Sequence, residues 1–119
     1  MTMMPELTSD QRSRTARIAE SFLRLTGLPL VEDRGDIVLS LWEAPMAIVA
    51  HDTAPDPVFF FGNRVALSLF EMTFADFTRL PSRLSAEPML REDRERLLER
   101  VRREGIITDY AGVRISSTG

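Results

Sequence analysis

Apolar residues recur at helical spacing near the start of the chain. Ile18, Phe22 and Leu25 fall at i, i+4 and i+7, flanked by Ala19 and Leu23, in an otherwise charged stretch. Thr8-Ser9-Asp10-Gln11 is a capping-box pattern, with Thr8 as N-cap and Gln11 reaching back. Gly27 ends this helix and Pro29 follows it. After the polar turn Glu32-Asp33-Arg34-Gly35, Asp36 is placed to cap a second, short helix through Leu39, Leu41 and Trp42, which Pro45 stops.

The pattern then changes period. Met46 to Ala50 is apolar without alternation, which predicts a central strand buried on both faces. Asp52 to Pro57 has the composition of a turn, and Val58-Phe59-Phe60-Phe61 reads as a second strand ended by Gly62-Asn63. The connection suits an antiparallel hairpin with a wide loop. Successive strand residues face opposite ways, so either Phe60 or the Phe59/Phe61 pair lies on the outer face, against the N-terminal helix, a partner or water.

Asn63 is placed to cap a helix that runs through Phe70, with Leu67 and Phe70 inward. Thr73 caps the next, with Asp76 at N3 and Phe74, Phe77 and Leu80 on the apolar face. Pro81-Ser82 breaks it. Pro88 opens the longest helix, to about Glu104, with Leu90, Leu97, Leu98 and Val101 apolar and Gly105 at C′. Ile107 to Ser117 reads as a third strand with Tyr110, Val113 and Ile115. Helices between strands of one sheet indicate an α+β fold. Residues 1–35 form an N-terminal cap helix and linker, and residues 36–119 the core.

Composition narrows the chemistry. The 119 residues suffice for one domain. The absence of cysteine removes disulfides, thiolate metal sites and a Cys nucleophile. All 15 basic residues are arginine, which excludes Schiff-base and P-loop lysines. The net charge of −3, with acids spread along the chain, argues against nucleic-acid binding. No apolar run reaches membrane-spanning length, and the first residues lack the apolar core of a secretory signal. A soluble cytoplasmic domain is expected.

Several segments carry a family resemblance. LRLTGLPL, LWEAPMAIVAH, DPVFFFGNRVALSLFEM, FTRLPSRLSAEP and DYAGVRISSTG closely resemble the MEKHLA domain. That PAS-related family is found alone in bacteria and at the C-terminus of plant homeodomain–leucine-zipper transcription factors, and the stand-alone bacterial type is the nearer one here. The resemblance runs from about Ile18 to Gly119 and is most specific in LPSRLSAEP and GVRISSTG. It implies a PAS-like antiparallel sheet with flanking helices, one long helix across a face and the N-terminal helix packed outside. In the PAS pattern two further strands follow the one after the long helix. Without them the sheet is incomplete in this chain, and three ways of closing it are open. The chain is part of a longer one, its third strand pairs directly with Met46–His51, or two chains complete one another. An oligomer, with a dimer favoured, is the expectation, because an exposed apolar edge recruits another edge.

Each singled-out residue has a bland reading beside a sharp one. His51, next to Asp52 and near Asp56, has the donors of a metal or haem site, but one histidine in a proline-rich loop more simply anchors a strand end, and no metal is assigned. PAS haem ligands come from the long helix, which here offers no His, Cys or Tyr. The phenylalanines serve first as core. If a small apolar or aromatic ligand binds between the sheet and the long helix, the expected lining is His51, Phe59, Phe61, Phe77, Leu97 and Tyr110, with its identity, like that of any cofactor, unknown. Asn63, the only asparagine, is expected to be a structural cap. The long helix has six basic and five acidic residues from Pro88 to Glu104, with Glu92–Arg96 and Glu99–Arg103 at i, i+4 spacing.

No catalytic residue is assigned. The expectation is a non-catalytic PAS-like sensory or interaction module that binds a small ligand or a protein partner. The alternative is a pure homodimerisation domain that uses Ile18, Phe22 and Leu25. A small hydrolase using His51 ranks third.

Overall fold

The computed structural model describes residues 3–85, 91–105 and 114–119. Among these the chain runs α1 (Ser9–Thr26), α2 (Ile37–Glu43), β1 (Val49–His51), β2 (Phe59–Gly62), α3 (Arg64–Phe70), α4 (Phe74–Phe77), a 3-10 turn at Ser82–Ser85, and α5 (Arg91–Glu104). This is an α+β arrangement in which helices flank a small, open, two-stranded antiparallel sheet.

The helix starts follow from local side-chain chemistry. Thr8 and Gln11 form a reciprocal capping box, the Thr8 hydroxyl accepting from Gln11 N–H at 3.1 Å and the Gln11 amide oxygen from Thr8 N–H at 2.8 Å. Asp36 accepts from the N–H groups of Val38 and Leu39, and Thr73 from that of Asp76. α1 ends at Gly27, whose left-handed φ of 73° lets its N–H reach the Leu23 carbonyl.

The expected strand over Met46–Ala50 needs correction. Only Val49–His51 pairs with β2, and Met46 and Val49 are both exposed rather than buried on two faces. The cause lies in Asn63. Its side chain takes the Met46 carbonyl and the Ile48 N–H, so residues 46–48 bend around an amide instead of entering a ladder.

Pairing of the hairpin is irregular. Ala50 opposes Phe61 and His51 opposes Phe59, so Phe60 is the additional residue of a bulge. Phe59 and Phe61 are buried, while Phe60 is half-buried beneath the Arg14 guanidinium of α1. The outer-face phenylalanine is therefore Phe60, and the N-terminal helix covers it.

The core has two clusters. Leu41, Ala44, Ile48 and Phe61 form one, against which Ile18, Ala19 and Val31 pack. Trp42, Phe59, Leu67 and Phe77 form the other. Phe74 packs against both, edge-on to Trp42 at 6.4 Å and to Phe61 at 6.3 Å between centroids.

On α5 the ion pairs differ from expectation. Arg96 meets Asp93 at 2.8 Å and Arg102 meets Glu99 at 3.5 Å, both at i, i+3. The helix start at Pro88, and most of the third strand with Tyr110 and Val113, lie outside the described residues.

Candidate functional site

Asn63 is fully buried and uses its whole hydrogen-bonding capacity. Its Oδ1 accepts from Ile48 N–H at 2.9 Å and Ala66 N–H at 3.1 Å. Its Nδ2 donates to the carbonyls of Met46 at 2.8 Å and Leu41 at 3.2 Å, and its own N–H donates to the Ile48 carbonyl. One amide thus caps α3, holds the end of α2 and sets the entry to β1. No donor or acceptor is left over for a ligand.

The structure divides the residues expected to line an inner pocket. Phe59 and Phe77 stack with centroids 4.3 Å apart and ring planes 19° apart, in the second cluster. Phe61 belongs to the first cluster. Leu97 is half-buried on α5, and Tyr110 lies outside the described residues. His51 is exposed; its ring meets Phe59 edge-on at 6.5 Å, and its Nδ1 donates to the Asp52 carbonyl at 2.7 Å. That bond goes to a backbone carbonyl and not to a carboxylate, unlike the acid–histidine pair of a triad. Asp56 is paired with Arg83 at 3.1 Å. Among the described residues no three His, Cys, Asp or Glu side chains converge as a metal site would require.

His51 instead borders an open groove of about 310 Å³ on the outer side of the hairpin. Arg14, Arg17, Ile18 and Ser21 of α1 form one wall, and Ala50 to Thr53 with Phe60 the other. The spacing 14, 17, 21 places three polar side chains on one helical face. Arg14 lies 4.4 Å above the Phe60 ring, which fixes the guanidinium against an aromatic surface. The acid in the groove, Asp52, turns its Oδ1 toward its own loop, where it accepts from the N–H groups of Ala54 and Val58.

The expected interface residues on α1 also separate. Ile18 packs against the domain's own core and Phe22 is half-buried, whereas Leu25 is 47% exposed. Leu23 and Leu28 beside it are 50% and 65% exposed. On α5, Leu98 and Val101 are exposed, and Gly105 brings that helix's end against α1: a Cβ there would lie 3.2 Å from Leu25 Cδ2.

Two segments that the residue pattern set apart meet in space. Ser85 is fully buried; its hydroxyl donates to the Ser82 carbonyl at 2.7 Å and accepts from Arg114 at 3.1 Å. The Ser85 carbonyl accepts from Ile115 N–H. Beyond it, Ser117 N–H donates to the Phe70 carbonyl and the Ser117 hydroxyl to that of Glu71. LPSRLSAEP and GVRISSTG therefore include two sides of one structural joint. Sequence reasoning missed this joint and the Arg14/Arg17 wall, because each depends on partners distant in the chain.

No helix among the described residues is long and apolar enough to cross a membrane. No curated protein and no solved structure matches the chain. The family model of the MEKHLA domain matches residues 12–119. A match over nearly all of the chain, ending in the joint just described, shows that the chain belongs to the MEKHLA domain family, whose members are PAS-like sensory domains.

Proposed function

We propose that this protein is a non-catalytic sensory and interaction module that works by pairing with a second copy of itself. The observation that carries this reading is the contrast between interior and surface. Inside, Phe59 and Phe77 stack on each other and the Asn63 amide is spent on backbone. Apolar side chains are left outward where α1 and α5 approach, at Leu25, Leu28, Leu98 and Val101.

A second copy suits this surface because a two-fold interface sets the same apolar side chains against their own counterparts. Phe59 and Phe77 already stack on each other, which supports association over an inner ligand among His51, Phe59, Phe61, Phe77, Leu97 and Tyr110.

A native mass spectrum of the untreated protein tests both, since it reports subunit number and retained small molecules together. A dimer without added mass is expected. Leu25→Asp with Leu28→Asp should convert it to a folded monomer; Ile18→Asp would instead damage the core. A wild-type monomer, or a dimer indifferent to both changes, overturns the reading.

A further inference from the structure

We propose that the groove between α1 and the β1–β2 hairpin binds a small organic anion through Arg14 and Arg17. The chain has more acids than bases, 18 against 15, and many of its described arginines are paired: Arg12 with Asp36, Arg83 with Asp56, Arg96 with Asp93, Arg102 with Glu99. Arg14 and Arg17 meet no carboxylate among the described residues, yet both line one concave site. Two guanidinium groups on adjacent turns of one helix, lining one groove, give that wall a positive character that a bound anion would offset.

The rest of the groove fits that ligand. Ser21 and Thr53 add hydroxyl groups to its lining, and Oδ1 of Asp52 accepts from the backbone N–H groups of Ala54 and Val58. The Phe60 ring gives a flat apolar floor beside Arg14, so an anion attached to a planar ring gains more than a bare one. The volume, about 310 Å³, suits a single-ring compound. The shared chemistry is a phosphate or carboxylate on a small aromatic or apolar body. This site stands apart from the association reading, which the mass measurement tests independently.

Titration of the intact protein with phenyl phosphate, benzoate and inorganic phosphate, followed by calorimetry or amide chemical shifts, tests the inference. Saturable binding of at least one ring-bearing probe is expected, tighter than that of inorganic phosphate. Phenyl phosphate alone assigns the site to phosphates, and benzoate alone to carboxylates. Arg17→Gln, at an exposed position, should weaken binding about tenfold or more, as loss of a charge-assisted contact does. Arg14→Gln should do the same. Arg79→Gln, an equal charge change elsewhere, should leave binding unchanged. Absence of saturable binding by all three probes, or an equal loss in Arg79→Gln, overturns the proposal.

Discussion

The ring of Phe77 rests directly on Gly62. A Cβ at Gly62 would lie 2.7 Å from both Cδ2 and Cε2 of that ring. The glycine is required by close approach and not by a left-handed backbone, for its φ is not positive. Gly62→Ala should cost about 1–3 kcal/mol, the usual range for overpacking a filled core. Urea denaturation measures this, and Phe77→Leu in the same chain should recover part of the loss. Additive costs in the double variant would mean that the two residues do not press on each other.

Asn63 offers a sharper test, because capping and clasping predict different orders. As a cap alone, Asp would replace Asn well. In the buried clasp, a carboxylate oxygen would face the Met46 and Leu41 carbonyls where Nδ2 now donates. Asn63→Asp should therefore be less stable than Asn63→Ala at neutral pH, with Ala itself costing about 2–4 kcal/mol from the partners left unsatisfied. The reverse order in thermal melts would reduce Asn63 to a helix cap.

Glu71 ends α3 in the left-handed region at φ 56°, the only non-glycine residue with positive φ among the described residues. Its N–H reaches the Leu67 and Ser68 carbonyls, while its carboxylate accepts from the Thr118 hydroxyl on the surface. Glu71→Gly relieves about 1 kcal/mol of backbone strain and gives up one exposed hydrogen bond. The bond from Ser117 to the Glu71 carbonyl survives the change. A melting temperature raised by a few degrees is expected, and a lowered one would show that the Thr118 contact outweighs the strain.

Asp36 joins α1 to α2, since Arg12 donates to its carboxylate at 2.7 Å while the same group caps α2. The hydrogen bond from Arg12 is the main cause that holds the Asp36 carboxyl below the ordinary range. A carboxyl lowered by folding contributes its stability in full above the unfolded value of about 3.9, and loses it as pH falls through the still lower folded value. Both side chains are about two-fifths exposed, so the contribution is small, about 1 kcal/mol or less. Arg12→Gln should flatten the acid limb of the stability profile below about pH 4 and leave its shape at neutral pH unchanged. An unaltered acid limb would place the pH dependence on other carboxylates.

What the residue pattern revealed depended on range. Thr8, Asp36, Asn63 and Thr73 all bind backbone two or three residues ahead, and each helix start could be read from that spacing. Asn63 also reaches Ile48, Met46 and Leu41, at separations of 15, 17 and 22 residues. Local periodicity holds no trace of those bonds, so Met46–Ala50 read as a buried strand. The Ser85–Arg114 contact spans 29 residues and was equally hidden, although both segments stood out for their composition. Nothing in the local spacing of Arg14 and Arg17 marks them as a site. Only the packing of the hairpin on α1 makes them neighbours of Phe60 and Thr53. The bulge at Phe60 settles a choice that the three phenylalanines left open.

Trp42 is the sole tryptophan, 2% exposed, set edge-on to Phe74 where the two core clusters adjoin. The protein therefore carries its one indole fluorophore at the seam of its interior. An anion entering the outer groove should leave its emission maximum in place, whereas any event that parts α2 from the Phe59–Phe77 stack should shift it to the red. Ordinary fluorescence can thus separate occupancy of the surface from rearrangement of the core without a label.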